Sequence, residues 1–172
     1  MTYKSKISLI ILTLGALLLI FAMWYKYEYS MEVAQEFEVN SPELNLKLLV
    51  ATQGSEFKNE VTKGVVNYYK KDSVYIKVID VTLLASIDPT DYNAIVVIHT
   101  WENWQPPAEV ELFINRIKDI QDKIIILTTS GEGSYKMEGV DAITGESKLE
   151  NTNTYINQII KRIESILYLK SI

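Results

Sequence analysis

The sequence predicts an α/β domain: a parallel five-stranded sheet in strand order 2-1-3-4-5 with helices on both faces, preceded by one N-terminal transmembrane helix. Three observations predict it. Short apolar runs rich in β-branched residues recur at 46–52, 74–81, 94–98 and 123–128 and read as buried strands. Apolar residues spaced by three and four between them read as helix faces, and that alternation favours a parallel sheet with right-handed crossovers. Residues 7–25 carry no charge.

Bulk composition narrows the function. With 172 residues, 48% of them hydrophobic, the chain has room for one packed domain and an appendage. A net charge of −5 offers no basic face to a nucleic acid, so no nucleic-acid partner is expected. The absence of Cys excludes disulfides, zinc–thiolate sites, iron–sulfur clusters and a lipoprotein-type anchor.

Residues 1–6 hold Lys4 and Lys6 and read as a cytoplasmic N-terminus. The uncharged stretch 7–25 spans roughly 28 Å as a helix, close to the ~30 Å hydrocarbon core of a bilayer. Trp24, Tyr25 and Tyr27 gather at its end, where aromatic rings favour the headgroup level. The lysines place the rest of the chain outside the cytoplasmic membrane. A cleaved signal peptide is the rival reading, but the run is long and no small-x-small pair follows it. A retained single-pass signal-anchor is expected. Residues 26–45 are rich in Glu, and Tyr27, Met31, Ala34 and Phe37 keep a helix-like spacing up to the break at Asn40-Ser41-Pro42. This segment reads as an acidic stalk or linker.

The globular domain is expected over 46–172. Its first strand, 46–52, leads into a helix marked by Phe57, Val61, Val65 and Tyr68. Gly64 in that helix costs about 1 kcal/mol against Ala unless close packing on the sheet needs it. The strand 74–81 contains Lys77 and Asp80, which suggests an edge position. The third strand is 94–98. Pro106-Pro107 then opens a helix carrying Val110, Phe113, Ile114 and Ile117. The fourth strand is 123–128 and the fifth 140–144; the crossover between them is too short for more than a turn or two of helix. Ile156, Ile159, Ile160, Ile163 and Leu167 mark the last helix. Two strand orders fit this pattern, 3-2-1-4-5 and 2-1-3-4-5, and the polar second strand favours the one that leaves it at the edge.

Ligands of open α/β sheets bind outside the carboxyl ends of the strands. Three loops fall there: Ala51-Thr52-Gln53-Gly54-Ser55-Glu56, then His99-Thr100-Trp101-Glu102-Asn103-Trp104, then Thr129-Ser130-Gly131-Glu132-Gly133-Ser134-Tyr135. Together they resemble the flavodoxin family, and the resemblance covers 46 to about 167. Flavodoxins hold the FMN phosphate in a T-x-T-G-x-T turn, carry a T-W pair before a proline and a helix, and follow the fourth strand with a G-S-G-D-S-S-Y run. By that resemblance Thr52, Gln53, Gly54 and Ser55 bind the phosphate, Thr100 with Trp101 or Trp104 meets the isoalloxazine ring, and Ser130, Gly131 and Tyr135 close the site. Gln53 and Glu56 replace two threonines of the phosphate turn, and a carboxylate beside a phosphate repels it.

A second, shorter resemblance is Asp141-Ala142-Ile143-Thr144-Gly145-Glu146-Ser147. It is similar to the D-x-x-[ST]-G-A-[ST] signal, in which the last residue takes FMN through a phosphoester, with Glu146 in place of Ala.

Other chemistries lack residues they need. A phosphoacceptor domain wants acidic residues where Thr52 and His99 stand, and no G-x-S-x-G nucleophile elbow is present. A lone His gives no metal site. No catalytic residue and no metal ligand is identified. The resemblance implies FMN binding and electron transfer at the outer face of the membrane, with a redox partner protein. The alternatives are a flavin-free ligand- or protein-binding module on the same fold, and a covalent FMN carrier through Ser147. The tryptophans can equally be packing under a lid.

Overall fold

The computed structural model describes residues 3–29 and 31–169. The chain divides into two units, Met1–Met31 and Glu32–Ile172.

The first unit is one helix, α1 (Tyr3–Tyr29). Its Tyr3–Tyr25 span is long and apolar enough to cross a membrane by length and composition. The Thr13 hydroxyl donates to the Leu9 carbonyl at 2.9 Å, so this polar group needs no outside partner. Phe21 packs its ring near those of Trp24 and Tyr25, one turn on.

The second unit holds a six-stranded sheet. In chain order its elements are β1 (Phe37–Val39), β2 (Leu46–Thr52), α2 (Glu56–Tyr69), β3 (Val74–Asp80), β4 (Ala94–Thr100), α3 (Ala108–Arg116), β5 (Ile124–Thr129), β6 (Ala142–Gly145) and α4 (Thr152–Leu169). The spatial order is β1-β3-β2-β4-β5-β6. Strands β2 to β6 are parallel and, counted from β2, run 2-1-3-4-5. The five-stranded parallel sheet is as the sequence predicts. The sixth strand, β1, pairs antiparallel with β3.

Alternate side chains of the parallel strands fill two cores. Leu48, Val50, Val96, Ile98 and Leu127 pack against α2 and α4 on one face. Leu49, Ala51, Ile95, Val97 and Ile126 pack against α3 on the other. The second face is the thinner one. Its crossover from β3 to β4 is 3₁₀ helix at Val81–Ser86, and the crossover from β5 to β6 contains no helix. The sequence leaves too few residues there for one, as expected. On the first face, a Cβ on Gly64 would fall 2.2 Å from Cδ1 of Ile156. The close approach that Gly64 serves is therefore to helix α4, not to the sheet.

Four expectations need correction. The helical spacing through Phe37 does not continue the first helix: α1 ends at Tyr29, and 31–36 is not helical. The acidic stretch 26–45 is thus no uniform stalk, because Glu32 onward belongs to the domain, with Ala34 only 6% exposed. Polar residues mask a real strand here. Asn40, in the left-handed region at φ 69°, turns the chain after β1 and donates to the carbonyls of Lys70, Asp72 and Val74. Nor is β3 an edge strand. Lys77 sits opposite Glu38 of β1 with its ammonium 3.7 Å from the carboxylate, and Asp80 is buried, accepting from the Ala34 N–H at 2.6 Å. Those polar side chains mark the strand that β1 covers. Tyr69, not Tyr68, completes the buried face of α2.

Candidate functional site

The first loop follows β2. Ser55 sits at the N-cap of α2 in extended conformation, and its hydroxyl accepts from the Lys58 N–H at 3.2 Å. This fixes the turn before it. Gly54 donates its N–H to the Glu32 carbonyl at 2.6 Å and accepts from the Glu32 N–H at 3.1 Å. The approach is so close that a Cβ on Gly54 would stand 2.7 Å from the Glu32 carbonyl oxygen. Glycine is required here by its neighbour, not by its own dihedral angles. Gln53, 7% exposed, accepts from the Thr100 N–H at 2.7 Å and donates from Nε2 to the Glu102 carboxylate at 2.8 Å. It ties the first loop to the second. The Thr52 hydroxyl, buried, donates to the Gln53 carbonyl.

The second and third loops follow β4 and β5, and the strand register sets their contacts. Thr100 lies opposite Thr129, and the two hydroxyls are 2.7 Å apart. Ser147, two residues past β6, donates its hydroxyl to the same Thr129 oxygen at 2.8 Å. Trp101 continues the ladder by donating its N–H to the Thr129 carbonyl. Its ring centroid lies 5.4 Å from that of Tyr135, with the planes tilted by 41°. The Trp101 Nε1 is buried and has no hydrogen-bond partner among the described residues. Glu102 and Gln105 then exchange both backbone hydrogen bonds around Asn103 and Trp104, which have φ of 50° and 62°. Trp104 stands at the tip of this tight turn, 80% exposed.

Two buried titratable groups lie under these loops. His99 lies opposite Thr128, bonds it through Nε2 at 3.0 Å and is fully buried, with Nδ1 unpartnered among the described residues. Burial drives its pKa down to about 4, opposed by the polar Thr100 backbone beside it and reinforced by the Lys58 charge. Lys58, also fully buried, reaches the Ser55 hydroxyl at 3.4 Å. Burial lowers its pKa to about 8, and the nearby Glu102 carboxylate offsets part of that.

The three loops expected from sequence therefore do meet at the carboxyl ends of the strands, with Ser147 added from β6. The expected residues do different things there. Thr52, Gln53, Gly54 and Ser55 are engaged with the chain itself. Thr100, Trp101 and Tyr135 form a polar and aromatic wall. Ser130 donates its N–H to the Gly145 carbonyl, and its hydroxyl faces the Tyr135 N–H at 3.5 Å. Gly131 is exposed with open space around it. Trp104 stands on a separate, outward turn. Sequence reasoning did not point to Glu32, Lys58, Glu102 or Thr129. Glu102 and Thr129 follow from the strand register, whereas nothing in an acidic run marks Glu32.

A flavin mononucleotide fits half of this site. The aromatic half suits a ring: two faces, and a buried indole N–H without an acceptor. Seating a ring between Trp101 and Tyr135 requires faces ~7 Å apart, twice a ~3.5 Å stacking distance, so they must part. The segment bearing Tyr135 lies in the crossover without a helix. The phosphate half does not fit, because the Gly54 N–H is spent on Glu32 and Gln53 is spent on the second loop.

No family profile matches this chain, and no curated protein does. Solved structures do. The Flv1 flavodiiron core from Synechocystis sp. PCC6803 superposes with a TM-score of 0.54 at 8% identity, over 72% of this chain and 36% of that one, so the chain spans about a third of it. A flavodoxin from the domain Archaea matches at 12% identity over 70% of this chain and 99% of its own length, with a TM-score of 0.47. Oxidised flavodoxin 2 from Bacillus cereus matches at 14% identity over 69% and 99%, with a TM-score of 0.44. The strand order and the flavodiiron match give the domain a flavodoxin-like fold.

Proposed function

We propose that this chain is a membrane-anchored, flavodoxin-like electron-transfer protein that holds a flavin by its ring at the Trp101–Tyr135 wall. The observation that carries the reading is that pair of rings, at the carboxyl ends of β4 and β5 and next to the switch point between β2 and β4, with the buried Trp101 Nε1 lacking an acceptor among the described residues. The likeness to a flavodiiron core supports a flavin in general, and FMN is the one that the resemblance of the three loops to flavodoxins implies. A bound flavin supplies the redox chemistry. The chain's own part is to stack on the ring, to donate from Trp101 Nε1, and to offer the exposed Trp104 to a redox partner protein.

Anchoring rests on α1, and a domain outside the cytoplasmic membrane rests on Lys4 and Lys6. A second reading is favoured by a specific observation. The Gly54–Glu32 pairing and the Gln53 clasp fill the place of a phosphate, as a flavin-free binding module on this fold would have it. Covalent attachment at Ser147 is a third possibility, since its hydroxyl lies in the loop cluster.

Titration of the full-length protein in detergent with riboflavin and with FMN, read by flavin fluorescence quenching, tests the proposal. Quenching that is lost in Trp101→Ala supports it. No quenching by either flavin leaves the flavin-free module. Flavin that survives denaturation on the wild-type chain and is missing from Ser147→Ala selects the covalent form.

A further inference from the structure

Residues 32–34 lie across the Gly54 turn as a strap, and several contacts hold them there. Glu32 pairs with Gly54 in both directions, at 2.6 and 3.1 Å. Ala34 is buried and donates its N–H to Asp80 at 2.6 Å, while the other Asp80 oxygen accepts from the Thr82 N–H and hydroxyl. The space a Cβ on Gly54 would need is taken by Glu32.

We infer that the strap substitutes for a ligand phosphate: the Glu32 carbonyl accepts the hydrogen bond that a phosphate oxygen would accept, so the site selects flavins by their ring and is indifferent to the phosphate. The inference rests on the flavin reading, but it makes a separate claim about specificity. A turn whose N–H already has a carbonyl acceptor gains little from an anion, and Glu56, two residues past Gly54, adds a carboxylate that repels one. Flavin binding by phosphate recognition would instead draw several charge-assisted hydrogen bonds from this turn.

The test compares riboflavin, which has no phosphate, with FMN on the full-length protein in detergent, alongside amide hydrogen exchange at Gly54. Equal affinities within about threefold, with a Gly54 amide exchanging as slowly as those of β2, support the inference. In Gly54→Ala, whose Cβ displaces Glu32, FMN should come to bind more tightly than riboflavin. A preference of about tenfold or more for FMN in the wild type, or rapid exchange at Gly54, overturns the inference and leaves the flavin reading standing. Binding of neither flavin with a slowly exchanging Gly54 amide does the reverse: the flavin reading fails, while the closure of the turn by Glu32 is supported.

Discussion

His99 and Trp104 show what single residues contribute. His99 is neutral in the folded state because burial holds its pKa down to about 4, whereas an unfolded chain restores the usual value near 6.5. Below that value the unfolded state binds the extra proton, so stability from this residue is complete above about pH 6.5 and is lost as pH falls toward 4. The loss is of order 3 kcal/mol. His99→Gln should flatten the decline between pH 6.5 and 4, measured by urea denaturation at a series of pH values. Trp104 occupies the second position of a two-residue turn with positive φ at both residues, a turn whose usual pair is Asn-Gly. A bulky side chain in that conformation costs about 1–2 kcal/mol. Trp104→Gly is expected to raise stability by about 1 kcal/mol in thermal melts, and to leave flavin affinity unchanged because this ring lies outside the aromatic wall. That Thr100, Trp101 and Tyr135 meet in one loop cluster is legible in the sequence, because each lies in a loop that follows a buried parallel strand. The part played by Glu32 is not, since it pairs through its backbone, which any residue but proline offers.

Among the elements, the parallel strands and α2, α3 and α4 were legible for one physical reason. Strands buried on both faces must be apolar throughout, and helices on a sheet must be apolar on one side. The edge strand β1 escaped because it is three residues long, with a glutamate at its centre facing Lys77. That failure carries a consequence. A domain cut at Leu46, where the sequence pattern begins, removes β1, the buried Ala34 and the Asn40 side chain that binds three carbonyls after α2. It also bares the edge of β3, leaving its backbone open to pairing with another chain. A fragment starting at Leu46 is expected to aggregate or to unfold at a temperature lower by ten degrees or so than one starting at Met31, a loss of about 2–3 kcal/mol. Size-exclusion chromatography and thermal melts of the two fragments would check this; equal melting temperatures would mean that β1 is dispensable.

At the scale of the whole chain, what decides the setting of the domain is the first unit. Residues 7–25 would bury sixteen apolar side chains in a bilayer, and Lys4 and Lys6 precede them. Beyond the span, the first thirteen residues after Tyr25 hold Lys26 against four glutamates, Glu28, Glu32, Glu36 and Glu38. Cationic residues in short flanks are retained on the cytoplasmic side, while Glu contributes little to the choice, so under the proposed anchoring two lysines against one favour a cytoplasmic N-terminus. The margin is small enough to be manipulated. The full-length protein should pellet with membranes even in high salt, because burial and not charge holds it there. Protease added to intact spheroplasts should digest the domain. Replacing Lys4 and Lys6 with glutamate removes the N-terminal bias and leaves Lys26 as the flanking cation, so a protected fraction should appear. Full protection of the wild-type domain until lysis would instead place it in the cytoplasm. There a loosely held flavin is replenished from solution, and a site that selects by ring alone would have to compete for it with every phosphate-recognising flavoprotein in the cell.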